Sequence, residues 1–354
     1  MEKVSPLNLI AKLSGVSKMT VSRALRDGTS VEPELRARIR ETARKLGYQP
    51  DSRISQVMRA VRKAQPSSYR ETLAFIWTHP LSQRTDRSGF FKEEFEGASR
   101  RAQQLGYRLD VFRLSDEMPA GNSLSHILQS RGIRGVLIAP LDFAQAPPVL
   151  PLDWNQFSCV LLGSSFPAVD LPRVQHDDYD GCVMTLQHLT QLGHQRIGLI
   201  MSRSMDEVSG RLIRSAFTSF HPVGSKEAAK LIFTADGYEA KALKKWISQI
   251  KPELVVGHFE EAFPTVEQLC RQTSPNLLIV ALNWDKNQPD IAGIDQHRAL
   301  IGEQAVDLLL LRLQGNQVGL DPLAPSIKVP GSWREGASLR AGKPTAKRKS
   351  RADI

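Results

Sequence analysis

The sequence predicts an N-terminal three-helix helix-turn-helix domain followed by an α/β body of two doubly wound parallel-sheet lobes. Three observations predict it. Basic charge is concentrated in the first 65 residues; two short helical patterns there flank a Gly-Val-Ser turn; and from Thr72 onwards short apolar runs alternate with longer amphipathic stretches. A chain of 354 residues can bury a sizeable core and should divide into two or three units. With 41% apolar and 24% charged residues it is neither disordered nor collagen-like. No run of about 18 apolar residues could span a bilayer, and MEKVSPLNLI carries no apolar h-region, so a cytoplasmic location is expected. Cys159, Cys182 and Cys270 form no C-x-x-C and read as buried small hydrophobes.

The net charge of +10 divides unequally: residues 1–65 carry 14 Lys/Arg against 6 Asp/Glu, residues 338–354 carry 6 against 1, and the middle is close to neutral. A basic head on a neutral body is the footprint of a small domain that meets a polyanion. Ser5-Pro6 opens a first helix with Leu7, Ile10, Ala11 and Leu13 at helical spacing, ending near Ser14-Gly15. Gly15 can take positive φ, and Ser17 can cap a second helix from Lys18 to Arg26. At ~100° per residue that helix sets Lys18, Met19, Ser22, Arg23 and Arg26 on one arc and Thr20, Val21, Ala24 and Leu25 on the other. The first arc suits a major groove, with Lys18, Met19 and Arg23 towards base edges; Ser17, Thr20, Ser22 and Arg26 are candidates for the phosphate backbone. A third helix runs from Glu32-Pro33 to Leu46, with Leu35, Ile39, Ala43 and Leu46 on one stripe. Asp51 can cap a short segment from Ser52 to Arg62, before a linker.

The ordered set GVSKMTVSRAL, from Gly15 to Leu25, and LGYQP, from Leu46 to Pro50, resembles the DNA-binding head of the lactose-repressor (LacI/GalR) family of bacterial transcription regulators. The resemblance implies that Lys18, Met19 and Arg23 choose the operator, and that residues 51–61 form a hinge helix entering the minor groove. Arg53, Val57 and Met58 are its candidate contacts. Val57-Met58 stands where the family usually has a Leu wedge; either is apolar, which is what kinking the minor groove asks for.

In the body, TLAFIW, YRLDVF, GVLIAP, SCVLLG, RIGLIM, KLIF, LVVG and NLLIVAL read as buried strands, with helical patterns over 90–105, 180–192, 237–250 and 297–313. The expected organisation is a head over 1–50, hinge and linker over 51–71, a two-lobed body over 72–337, and a basic disordered tail over 338–354. Lobe 1 is expected over about 72–164 and 294–321, lobe 2 over about 170–290 and 324–334, with chain crossings near 164–170, 289–294 and 321–324. The body resembles the periplasmic-binding-protein-like effector domain of the same family.

Ligands of such folds lie in the crevice at the carboxyl ends of strands, which makes Trp77, His79, Arg211, His258, Asn283, Trp284 and Gln296 the effector-cleft candidates. Trp77 and Trp284 read equally as lobe-interface packing, and His258 as a polar group at a strand end. By the resemblance, Ile213, His258-Phe259 and Asn283 replace residues that ordinarily grip sugar hydroxyls, so a simple sugar effector is disfavoured. The run from Gln175 to Asp180 is explained by Asp178 or Asp180 capping a helix, and no metal or other cofactor is expected. No G-x-S-x-G, G-x-G-x-x-G or H-E-x-x-H occurs, and an enzyme is not expected. The expected function is that of a homodimeric, sequence-specific regulator, a repressor, on a near-palindromic operator, with a small-molecule effector modulating hinge-helix formation. The alternative is an effector-independent DNA-binding protein of the same fold. The helix over 297–313 reads either as dimer face or as core.

Overall fold

The computed structural model describes residues 6–17, 20–21, 24, 31–46, 71–77, 92–113, 123–139, 150, 152–163, 170–235, 239–259 and 263–342. The head contains α1 (Pro6–Ser14) and α2 (Pro33–Lys45). Both open on proline, whose missing N–H costs nothing in a first turn. Ile10, Ala11, Val21, Ala24, Val31, Ile39 and Ala43 form one core. Leu13 and Leu46, assigned to the apolar stripes from spacing, are exposed; Leu46 lies just past the last residue of α2.

Lobe 1 is a six-stranded parallel sheet built from β1 (Thr72–Trp77), β2 (Arg108–Arg113), β3 (Gly135–Ile138), β4 (Ser158–Leu162), β5 (Arg173–His176) and β11 (Ser326–Val329), in the order β11-β5-β4-β3-β1-β2. Lobe 2 holds β6 (Ile197–Ser202), β7 (Ile232–Ala235), β8 (Leu254–Gly257), β9 (Leu278–Ala281), β10 (Ala292–Asp295) and β12 (Ser332–Arg334), in the order β12-β10-β9-β8-β6-β7. All of its pairings are parallel except β10 with β12. Helices cover both faces, as strands buried on both sides require. In lobe 1 these include α3 (Lys92–Gln104), α4 (Ser123–Ser130) and α10 (Arg298–Gln314). In lobe 2 they are α5 (Asp178–Gln191), α6 (Arg203–Val208), α7 (Leu212–Phe220), α8 (Ala240–Ile250) and α9 (Phe263–Thr273).

Sheet membership moves all three crossings later than the pattern placed them. β5 belongs to lobe 1, so the first crossing is at Asp177; β10 belongs to lobe 2, so the second is at Gln296-His297; β11 belongs to lobe 1, so the third is at Pro330-Gly331. The expected boundaries failed because β5 (RVQH) and β11 (SIKV) bury alternate residues instead of reading as apolar runs. Each crossing leaves the carboxyl end of a strand, so those ends face one another across a seam and the amino ends form two opposite poles.

α10 is core: Ile301, Ala305, Val306 and Leu309 are buried against lobe 1, and α3 crosses it closely where Gly97 meets Ala299 and Gly302 meets Glu94. The expected tail begins too early. Ala337–Gly342 is a 3₁₀ helix seated on lobe 2, with Ser338 N–H donating to the Asp290 carbonyl at 2.8 Å and Ser338 Oγ accepting from Ala292 N–H at 3.0 Å.

Candidate functional site

Among the described residues, two places gather the polar side chains taken as site candidates: the turn of the head and the seam between the lobes. In the head, Gly15 takes φ +67°, and Val16 N–H closes the turn on the Ala11 carbonyl at 3.0 Å. Ser17 then caps the second helix, its Oγ accepting from Thr20 N–H at 3.1 Å and lying 2.9 Å from Thr20 Oγ1. Thr20, Val21 and Ala24 are helical, and the last two are buried, as the angular arithmetic requires. Arg38 locks the arrangement, donating to the Ser14 carbonyl at 3.0 Å. Ser17 and Thr20 therefore sit at the helix's amino end, where free N–H groups and the dipole favour an anion. Lys18, Met19, Ser22, Arg23 and Arg26, the hinge candidates Arg53, Val57 and Met58, and His79 lie outside the described residues.

At the seam the three passes run side by side. Asp177 N–H and His176 Nδ1 both meet the Val329 carbonyl, at 3.0 and 3.1 Å, and Lys328 Nζ pairs with Asp177 at 3.2 Å. Asp177, rather than Asp178 or Asp180, caps α5, accepting from Asp180 N–H at 3.2 Å. A polar relay spans the seam. Gln296 donates to the Leu282 carbonyl of lobe 2 at 3.2 Å, Arg298 donates to Gln296 Oε1 at 2.9 Å, and Arg298 pairs with Glu94 of lobe 1 at 3.3 Å. The Arg298 and Glu94 side chains are only 12% and 6% exposed, and Glu94 Oε2 has no hydrogen-bond partner. At the mouth, Lys286 of lobe 2 pairs with Glu93 of lobe 1 at 2.6 Å.

Burial of the seam shifts its titrations. Loss of solvent raises the Glu94 carboxyl to about 6 against the pull of Arg298, and raises Asp178 to about 7 with help from Asp177. Burial also lowers His176 to about 4 and His258 to about 3, with Arg298 adding to both. Near pH 7 both imidazoles are therefore neutral.

The cleft candidates separate on this geometry. His258 and Gln296 are buried in the seam. Trp77 packs into the lobe 1 core beside Phe75 and under Arg113, which supports its packing role. Trp284 lies beneath Arg334, with the guanidinium 5.5 Å from the ring centroid, and its indole Nε1 is buried without a hydrogen-bond partner. Asn283 Oδ1 accepts from Phe259 N–H at 3.2 Å, and Asn283 lines a small open recess with Phe259, Phe263 and Ile291. Arg211 is exposed in the left-handed region at φ +61°. Its neighbour Arg214 is the engaged cation, bonded to Asp206 and Thr234, each at 2.8 Å. Glu94, Arg298, His176 and Asp178 were missed as site residues. Only a charged residue directly after the Gln296-His297 crossing hinted at Arg298, and nothing local links it to a glutamate 204 positions away.

Cys159, Cys182 and Cys270 are buried, and desolvation pushes the thiols of Cys159 and Cys270 to about 12. Among the described residues no group of His, Cys, Asp and Glu could hold a metal, and no helix is long and apolar enough to cross a membrane.

Residues 7–51 match the family model described as bacterial regulatory proteins, lacI family, and most of the chain is similar to curated transcription regulators. It is 22% identical over 325 residues, 87% of this chain and 92% of its relative, to the NTD biosynthesis operon regulator NtdR of Bacillus subtilis. To the HTH-type transcriptional repressor CytR of Escherichia coli it is 24% identical, over 90% of this chain and 92% of the other. Its fold is similar to that of the lac repressor dimer bound to operator and the anti-inducer ONPF, at TM-score 0.52 and 19% identity, covering 95% of this chain and 99% of that one. These relatives are regulators, not enzymes.

Proposed function

We propose that the chain is a homodimeric repressor that grips a near-palindromic operator through paired heads and hinge segments, and that a small molecule in the seam changes their spacing. The carrying observation is the Leu282–Gln296–Arg298–Glu94 relay, a polar link between lobes whose buried Glu94 Oε2 is left open for a donor. A ligand that binds the two lobe arrangements unequally shifts the balance between them, and only that difference can drive a switch. In the head, Lys18, Met19 and Arg23 would read bases, and Ser17, Thr20, Ser22 and Arg26 would meet phosphates. Arg53, Val57 and Met58 would enter the minor groove. A dimer is favoured because one head covers few base pairs, and the solved relative is an operator-bound dimer.

The test is selection of bound sites from random duplex DNA, followed by a metabolite screen for changed binding to the selected site. Recovery of paired half-sites is expected; enrichment of no sequence would overturn the reading. A second reading, effector-independent binding, is favoured by how much of the seam is self-satisfied, with both ends of Gln296 engaged. A screen in which no metabolite alters binding, while Arg298→Ala does, would select it.

A further inference from the structure

We propose that Arg38 is a positioning residue for base reading: it sets the angle at which the second helix of the head enters a groove, without itself touching DNA. This deepens the head's reading as an operator-binding domain and rests on it. The first support is where its hydrogen bond falls. Ser14 is the last residue of α1, so its carbonyl is one of those that no N–H further along the same helix can satisfy. At that end the Lys12 carbonyl takes Gly15 N–H at 3.4 Å and the Ala11 carbonyl takes Val16 N–H at 3.0 Å. The Ser14 carbonyl takes Arg38 Nη2 at 3.0 Å, from α2, 24 positions along the chain. A cation placed there also faces the negative end of the α1 dipole. Three residues later Ser17 caps the second helix. Arg38 therefore holds the turn from which that helix starts, while belonging to neither helix of the pair.

The second support is the make-up of the head's core. Its buried apolar residues are Ile10, Ala11, Val21, Ala24, Val31, Ile39 and Ala43, three of them alanines. Small side chains bury area but interlock little, and it is close complementarity of shape that selects one arrangement among several. The guanidinium is planar and directional, so its bond to a fixed carbonyl supplies an orientation that these contacts leave loose. Orientation matters most far from the helix axis. A rotation of about 10° moves a side-chain tip, about 5–6 Å from the axis, by about 1 Å. That is enough to spoil a bidentate bond to a base edge. Attraction between phosphates and the helix's amino end, beside Ser17 and Thr20, tolerates the same rotation, because the dipole lies along the axis. Loss of the Arg38 bond should therefore weaken sequence choice more than attachment to DNA.

The experiment titrates the full chain against two duplexes of equal length, one carrying the operator obtained by selection from random DNA and one of unrelated sequence, over a series of salt concentrations. Arg38→Met keeps the aliphatic stem and removes donor and charge; Arg38→Lys keeps the charge and loses the planar fork. The ratio of operator to unrelated affinity should fall at least tenfold in Arg38→Met and about threefold in Arg38→Lys. Affinity for the unrelated duplex should stay within about twofold, and the salt slope on the operator should not change. A slope lower by about one unit would make Arg38 a phosphate contact and overturn the proposal. So would an unchanged ratio, or an equal loss on both duplexes. Hydrogen exchange in the head separates positioning from folding. Should Arg38→Met lose protection there, the ratio measured for Arg38→Lys decides: a threefold fall with protection intact supports the proposal, and the parent's ratio overturns it. Failure of the head's reading shows separately, as a parent chain that enriches no sequence, and would take this proposal with it.

Discussion

The two lobes use the same strand order and differ at the last strand added. β11 reaches lobe 1 from its pole, after α10 has carried the chain down, and is therefore parallel to β5. β12 enters lobe 2 from the seam after only Pro330-Gly331, too short for the crossover a parallel neighbour needs, and must run antiparallel. Lobe 1 is thereby closed by a 17-residue helix packed on α3, whereas lobe 2 is closed by a three-residue edge strand held by Arg334–Asp295 at 2.8 Å and by Trp333 against His188. The difference teaches that the Arg298–Glu94 pair is anchored in lobe 1, while lobe 2 reaches across the seam through the Leu282 carbonyl, by way of Gln296, and through Lys286.

The comparison can be broken at the relay. Arg298→Ala leaves Glu94 buried without its cation and should cost about 3–5 kcal/mol, read by denaturant unfolding. Hydrogen exchange should show both lobes loosened next to the seam; loosening confined to lobe 1 would deny that the relay joins them. Next, Gly302→Ala forces a methyl against the Glu94 carbonyl where α3 and α10 cross, an overpacking cost of about 1–3 kcal/mol. Exchange should quicken in α3 and α10 and stay unchanged in lobe 2. Spread of the effect to α5 and α7 would show one cooperative unit instead of two.

A pH experiment sharpens the contrast. The folded Asp178 carboxyl, at about 7, holds its proton more tightly than the ordinary value of 3.8. Its stabilising contribution is thus full below about pH 4 and lost as pH rises through 7. Asp178→Asn should match the parent at pH 4 and melt higher at pH 8, by roughly 2–4 °C for each kcal/mol recovered. Glu94→Gln in lobe 1 should gain less, since Glu94 rises only to about 6 and has Arg298 as partner. Equal gains would contradict the asymmetry. The smallest effect is expected outside both lobes: Ser17→Ala removes a cap worth about 1 kcal/mol and should lower head stability with no change in the melting of the body.

Legibility in the sequence followed the burial pattern. TLAFIW predicts β1 to the residue, because five of its six residues are buried and nothing competes with the apolar signal. RVQH does not announce β5, since only Val174 and His176 turn inward, and with β5 unrecognised the first crossing was placed too early. The head's turn was readable because Gly15 and Ser17 act on near neighbours. The seam was only partly so. Gln296 and His258 stand at strand ends, which pattern alone can find; the partnership of Glu94 with Arg298 is created by helix packing over most of the chain's length, and no local rule encodes it.

The triple pass also has a consequence for synthesis. Neither lobe is a contiguous stretch, and the strands that complete the two sheets, residues 326–329 and 332–334, are almost the last of the body to leave the ribosome. The head, with its own small core, can fold hundreds of residues earlier. A nascent or prematurely terminated chain would thus display a finished helix-turn-helix head before either lobe of the body is complete.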